Sequence, residues 1–177
     1  SNIDTLTLGG GCFWCVEAVY LELKGVISVE PGYSGGSPST ATYEKVSTGT
    51  TEHAEVIQII YNSKEISLES ILKVFFTVHD PTTLNRQGYD VGPQYRSVIF
   101  YRNEVQKQKA NAIITALTRE KVFSSPIVTK VDQFMAFYKA EDYHLNYYNN
   151  NKEAAYCKKI ILPKLEKLDK VFGDLTK

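Results

Sequence analysis

Three consecutive glycines, Gly9-Gly10-Gly11, stand between two runs of different period, and that junction limits what the chain can become. Before it, Ile3 to Leu8 alternates like a strand; after it, Val16, Val19, Tyr20 and Leu23 recur at helical spacing. The glycines let the backbone turn sharply and approach a ligand closely. They deliver Cys12 at or just before the first helical turn, where unpaired amides and the helix dipole favour an anion. A thiol so placed is expected to be biased towards thiolate, its reactive form. Phe13 and Trp14, the one tryptophan of the chain, follow at once, and Cys15 completes a Cys-x-x-Cys pair.

The remaining pattern supplies the frame. Gly25 stops the first helix, and Val26 to Glu30 reads as a β-branched strand. Pro31 to Thr40 carries nearly every breaker residue and reads as a long loop, which in a compact domain is more often functional than idle. Ala54 to Tyr61 is a strand rich in isoleucine and valine. Leu68 to Val78 puts Leu68, Ile71, Leu72, Phe75 and Phe76 on one helical stripe. After a loop over His79 to Tyr95, Ser97 to Tyr101 is a further strand. The order β-α-β-β-α-β predicts an α+β fold, the split βαβ (ferredoxin-like) plait, with its helices on one face of the sheet. A helix near Glu104 to Arg119, a strand near Ile127 to Val131 and one or two helices over Asp142 to Phe172 extend or wrap it. A single domain over residues 1–177 is expected, since the chain has no linker or repeat and is short for two cores.

Charge and cysteine content narrow the function. Twenty basic and 20 acidic residues cancel without forming a stripe, so neither nucleic acid nor an anionic membrane is an expected partner. No apolar run approaches the roughly 20 residues of a membrane span, and no signal-like segment opens the chain, so the reading is soluble and cytoplasmic. Three cysteines are too few for a disulfide scaffold, which favours redox or catalytic use.

Cys12 and Cys15 allow three readings. Zinc would need two more ligands, and Cys157 stands alone while His53, His79 and His144 are dispersed, so no metal is expected. A dithiol suited to disulfide exchange is the better generic reading. Two small buried cysteines packing a helix on a sheet is the plain one. Glu55, flanked by Ala54, Val56 and Ile57, either faces solvent at a strand start or is desolvated, in which case it stays protonated near neutral pH and can act as an acid. Tyr43 and Tyr95 adjoin loops and could donate to a substrate oxygen. Asp90 either caps a turn or orders Tyr95 and a water.

Taken together, Gly11-Cys12-Phe13-Trp14, Gly32-Tyr33-Ser34-Gly35-Gly36, Thr42-Tyr43, His53-Ala54-Glu55-Val56, His79-Asp80-Pro81-Thr82, Arg86 to Ser97 and Ala140-Glu141-Asp142-Tyr143-His144 resemble the peptide methionine sulfoxide reductase A family, in the family's order and over almost the whole chain. The resemblance implies the plait and reduction of the S epimer of methionine sulfoxide. It implies Cys12 as the nucleophile on the sulfoxide sulfur, Phe13 and Trp14 as the wall for the substrate methyl group, and Glu55 as the acid. Tyr43 and Tyr95 would converge on the oxygen, with Asp90 supporting them from beside Tyr95. Cys12 would be left as a sulfenic acid that a second thiol converts to a disulfide, reduced in turn by thioredoxin. No metal, flavin or nucleotide is implied.

Two positions depart from the commonest family pattern. A glycine often stands where Cys15 is, and the recycling cysteine often lies in a glycine-rich tail, whereas here Cys157 is followed by Lys158 to Pro163, which reads as ordered. Both Cys15 and Cys157 are therefore candidates for the recycling thiol, with Cys15 favoured. The competing functions are a general thiol-disulfide oxidoreductase, which would have no use for Glu55 or Tyr95, and a non-catalytic module that binds oxidised methionine.

Overall fold

The computed structural model describes residues 2–177. Strand β1 (Ile3–Gly10) leads into helix α1 (Phe13–Leu21), strand β2 (Val26–Ser34), a short helix α2 (Tyr43–Val46), strand β3 (Ala54–Asn62) and helix α3 (Leu68–Val78). A small hairpin of β4 (Arg86–Gln87) and β5 (Asp90–Val91) precedes β6 (Ser97–Tyr101) and helix α4 (Glu104–Arg119). Short strands β7 (Lys130–Gln133) and β8 (Tyr138–Lys139), helix α5 (Tyr147–Asn150) and helix α6 (Leu162–Phe172) complete the chain.

The main sheet has the order β7-β6-β1-β3-β2-β8. Its four central strands, β6-β1-β3-β2, pair antiparallel throughout, which is the split βαβ plait. Parallel β7 on β6 and antiparallel β8 on β2 extend it at either edge. Alternation along each strand sorts side chains to two faces. Leu6, Leu8, Ile57, Ile59, Tyr61 and Ile99 point to one face, where α1, α3, α4 and α6 cover them. Ala54, Val56, Val98 and Phe100 point to the other, under Phe134 and Phe137. Because Glu55 shares the parity of Ile57, the register of β3 places its carboxyl on the helix-covered face. Helix α1 is apolar on nearly every side because the sheet lies beneath it while α5 and α6 lie over it.

Two elements differ from the sequence expectation. Strand β2 does not stop at Glu30; it continues through Pro31 and Gly32 to Ser34, so the long loop begins four residues later. The carbonyl of Pro31 accepts from the backbone N–H of Ala140 at 2.9 Å, on the side away from β3. The missing amide hydrogen of Pro31 falls on that same outer side, so the ladder with β3 loses nothing there. The strand expected near Ile127 to Val131 forms over Lys130–Gln133, because it must lie parallel to β6 in the register Val98–Lys130 to Tyr101–Gln133. Among the described residues, no helix is long and apolar enough to cross a membrane.

Candidate active site

The site starts where β1 ends. Gly11 has φ +96°, a conformation open to glycine, and a Cβ there would come within 2.7 Å of the Gln87 side chain. The turn puts Cys12 at the N-cap of α1, with its carbonyl accepting from the N–H groups of Cys15 (3.1 Å) and Val16 (3.4 Å). The next amide, that of Phe13, is one of the helix's unpaired donors, and it donates to Oε1 of Glu55 at 3.0 Å. Glu55 is 1 % exposed. Burial drives its pKa up to about 8, against the pull of the Phe13 bond and with the charges of Asp90 and Cys15 adding to the rise. The buried alternative for Glu55 is therefore the one realised, and the carboxyl holds a proton near neutral pH.

Two phenols lie within the electrostatic reach of this acid. Tyr43 opens α2, whose N-cap Thr42 accepts from Lys45, and the Tyr43 amide is held by Oε2 of Glu141 at 2.9 Å. Tyr95 closes the turn Pro93–Tyr95. Burial first, and then the negative potential of Glu55 and Cys12, pushes the Tyr43 hydroxyl up to about 12 and moves Tyr95 in the same direction. Both hydroxyls thus stay protonated and belong to one electrostatic group with Glu55 and Cys12. The ring of Phe13 is fully buried between Tyr33, Tyr43 and His144, at centroid distances of 5.7, 6.3 and 5.0 Å. Trp14 is only partly buried. It stacks on Tyr147 at 3.8 Å and 9°, and its Nε1 donates to Nδ1 of His144 at 2.9 Å.

The cysteines correct one expectation. Cys12 does sit at the helix start, but burial holds its thiol well above the ordinary value, and the hydrogen bond and charge of Cys15 and the charge of Glu55 add to the rise. A helix dipole contributes up to about 2 kcal/mol, whereas full burial shifts a pKa by up to about 3–5 units, and one unit is about 1.4 kcal/mol. Desolvation therefore wins, and the resting Cys12 is a thiol. Cys15 moves the other way. Its hydrogen bond with Cys12 lowers it, burial opposes, and Lys164 and Tyr156 assist. The two sulfurs titrate as a coupled pair. Cys157 is fully buried in the same cluster, with Cys12, Cys15, Ala18 and Ile161, so the structure brings all three cysteines together.

Asp90 acts on Tyr95 and Glu55 through charge, while its Oδ2 accepts from the hydroxyl of Tyr156 at 2.7 Å. The same hydroxyl lies 3.4 Å from the sulfur of Cys15. A cleft of about 250 Å³ opens here, lined by Cys12, Cys15, Tyr89, Asp90, Tyr156 and Lys164 among others. Sequence reasoning did not single out Tyr147, Tyr156 or Glu17. The one hint for Tyr156 was its place next to Cys157; for Glu17 it was the step of three from Trp14 on the same helix. Glu17 is 1 % exposed and its Oε2 accepts from the amide of Asn146 at 2.8 Å, which ties the segment carrying Tyr147 to α1. Among the described residues, no group of three or more His, Cys, Asp and Glu side chains could hold a metal ion.

The sequence profile of peptide methionine sulfoxide reductases matches residues 4–175. The chain belongs to the peptide methionine sulfoxide reductase family. It is 53 % identical to the peptide methionine sulfoxide reductase MsrA of Saccharolobus solfataricus over 175 residues, covering 99 % of this chain and 98 % of the relative. Among solved structures it resembles reduced Mxr1 from Saccharomyces cerevisiae, with a TM-score of 0.82 and 33 % identity over 88 % of this chain and 90 % of that one. A structure of Mxr1 in complex with Trx2 shares the fold, with a TM-score of 0.58 and 24 % identity over 82 % and 85 % of the two chains. In this reductase family member, motifs spread from Gly11 to His144 in the sequence meet at Phe13, which bonds Glu55 and packs against Tyr33, Tyr43 and His144.

Proposed function

We propose that this chain reduces the S epimer of methionine sulfoxide, in oxidised proteins or peptides, to methionine, with thioredoxin as the reductant that resets it. The observation that carries this reading is the buried, protonated Glu55 bonded to the peptide next to Cys12, with the phenols of Tyr43 and Tyr95 under the charge of both groups. Disulfide exchange has no use for such an acid. Sulfoxide reduction requires one, because the oxygen must gain a proton as the sulfur is attacked.

The sulfur of Cys12 attacks the sulfoxide sulfur while Glu55 passes its proton to the oxygen. The thiol proton of Cys12 replaces the one that Glu55 gave up. The protonated oxygen then passes from the substrate sulfur to Cys12 as the new S–S bond and the substrate S–O bond break, so methionine leaves, reduced by two electrons, and Cys12 is left as a sulfenic acid, oxidised by two. Tyr43 and Tyr95 donate hydrogen bonds to the oxygen in transit. The free part of Trp14 forms the apolar wall for the methyl group, while Phe13, fully buried, supports the site from within the core; the epimer that presents oxygen to Glu55 is the one reduced. Cys15 then attacks the Cys12 sulfenic acid; the S–S bond forms, the S–O bond breaks, and the departing hydroxide takes the Cys15 proton to leave as water. A dithiol reductant reopens the disulfide. A cytoplasmic location belongs to the same proposal and suits a thiol enzyme reset in this way.

The test is turnover of the two epimers. Reduced protein is incubated with dithiothreitol and either epimer of a blocked methionine sulfoxide, and the methionine derivative is measured by chromatography. Reduction of the S epimer alone is expected. Equal turnover of both, or none of either, overturns the reading.

A further inference from the structure

The hydroxyl of Tyr156 stands between two acceptors, Oδ2 of Asp90 at 2.7 Å and the sulfur of Cys15 at 3.4 Å. It has one proton to give. Its ring packs edge-on against Trp14, at 5.9 Å and 80°. Tyr156 also lines the cleft that reaches Cys12 and Cys15, and its chain neighbour Cys157 is fully buried in the cysteine cluster. We propose that Tyr156 is a catalytic residue of the resetting half of the cycle: its hydroxyl switches its hydrogen bond from Asp90 to Cys15 and stabilises the Cys15 thiolate that attacks the Cys12 sulfenic acid. This rests on the sulfoxide reductase reading above and deepens it.

With Cys15 as a thiol, the S–H group donates to the Tyr156 oxygen, and Tyr156 donates to Asp90. As Cys15 ionises, the hydroxyl rotates its proton onto the sulfur, and the carboxylate of Asp90 is released to the cleft. The attack then forms the Cys12–Cys15 bond and expels hydroxide from Cys12, which leaves as water with the proton that Cys15 lost. A hydrogen bond given to a sulfur anion in a buried place is stronger than one between neutral partners. Cys15 faces Cys12 on its own helix, Asp90 on β5, Tyr156 and Cys157 in the C-terminal segment and Lys164 on α6. Of these, Tyr156 donates to the thiolate from a position fixed on both sides, whereas Lys164 acts through charge.

The experiment compares the parent with Tyr156→Phe, which keeps the ring against Trp14 and removes only the hydroxyl. Fully reduced protein receives one equivalent of a methionine sulfoxide peptide under rapid mixing. Methionine release and disulfide formation are followed separately, the latter by acid quench and peptide mapping. In parallel, the rate of Cys15 alkylation by iodoacetamide is measured against pH without substrate. The variant is expected to slow disulfide formation about tenfold relative to its own methionine release, the usual consequence of losing a hydrogen bond to a charged group. Its alkylation midpoint for Cys15 should move to higher pH. Disulfide formation that keeps pace with methionine release, together with an unmoved midpoint, overturns the proposal, as does a Cys12–Cys157 disulfide forming first in the parent. Absence of methionine release from the parent would instead overturn the sulfoxide reading, and the alkylation midpoint would still decide whether Tyr156 stabilises the Cys15 thiolate.

Discussion

The backbone N–H of Phe13 donates to Oε1 of Glu55 across 3.0 Å, so the acid at the end of β3 is fastened to the peptide that follows Cys12. A carboxyl bound in this way has a cost that depends on pH. The folded protein holds the Glu55 proton up to about pH 8, whereas an unfolded glutamate releases it near pH 4.3, by the usual reference of roughly that value. Between those limits the native state binds more protons, so the stability this group contributes is full at low pH and is lost as pH rises through the folded value. Glu55→Gln removes that loss. Thermal unfolding of parent and variant at pH 5 and pH 9 is expected to show the variant gaining on the parent as pH rises; an equal difference at both pH values would show that Glu55 is not held protonated.

The same substitution should damage chemistry while it helps stability. Glutamine keeps the acceptor for Phe13 but has no proton to transfer, so single-turnover reduction should slow by about 10²-fold, the usual worth of general acid catalysis. In the parent, the rate should fall as pH passes the Glu55 value of about 8. A variant within a factor of about three of the parent would assign Glu55 to structure alone.

Trp14→Ala should act through the pocket. The variant loses the stack on Tyr147 and the bond to His144, and with them one side of the methyl wall. An apolar wall of this kind is worth about tenfold or more in selectivity, so steady-state kinetics with both epimers should show a raised KM for the S epimer and a narrower ratio between them. Unchanged kinetics would put the methyl pocket elsewhere.

Gly32→Ala tests the extended β2. A Cβ on Gly32 would meet the Phe137 ring and the carbonyl of Tyr138 at 2.5 Å. Strand β8 would have to lift from β2, at a cost of about 1–3 kcal/mol by the usual range for overpacking. Chemical denaturation should report that loss, and a variant as stable as the parent would mean that β8 is loosely held.

What the sequence made legible was local. The glycine turn into α1 and the stripe of Leu68 to Val78 each follow from the spacing of a few neighbours, whereas the flanks of Glu55 left its burial open until the register of β3 placed it. What it hid depends on distant partners. Pro31 reads as a breaker until β8 supplies an outer edge on which a missing N–H does no harm. Asp90 reads as a turn residue until Tyr156, 66 positions away, takes its carboxylate. The state of Cys12 was misread for a related reason: the helix dipole is visible in sequence, whereas the larger effect of burial comes from side chains that only the fold brings together.

The last prediction concerns which thiol resets Cys12. A disulfide needs α-carbons within about 7 Å, and residues three apart on a helical turn have neighbouring side chains. Cys15 meets that requirement from its place in α1, and the charge of Lys164 and the hydroxyl of Tyr156 favour its anion. Cys157 shares the cluster, but it is fully buried at the start of a helical turn running from Cys157 to Ile161 and continuing into α6. Burial, and next the charge of Cys15, raises its thiol, which makes it the poorer nucleophile at neutral pH. Reaching Cys12 would mean unpacking this turn. Loop entropy adds little to that cost, since it grows only logarithmically with length, so packing and ionisation decide. Non-reducing peptide maps after one equivalent of sulfoxide should therefore show a Cys12–Cys15 pair. Cys15→Ser should release one equivalent of methionine and then stall with thioredoxin, while Cys157→Ser continues to turn over. A dominant Cys12–Cys157 pair, with thioredoxin-dependent turnover surviving in Cys15→Ser, would reverse the assignment and make the C-terminal turn the moving part of the cycle.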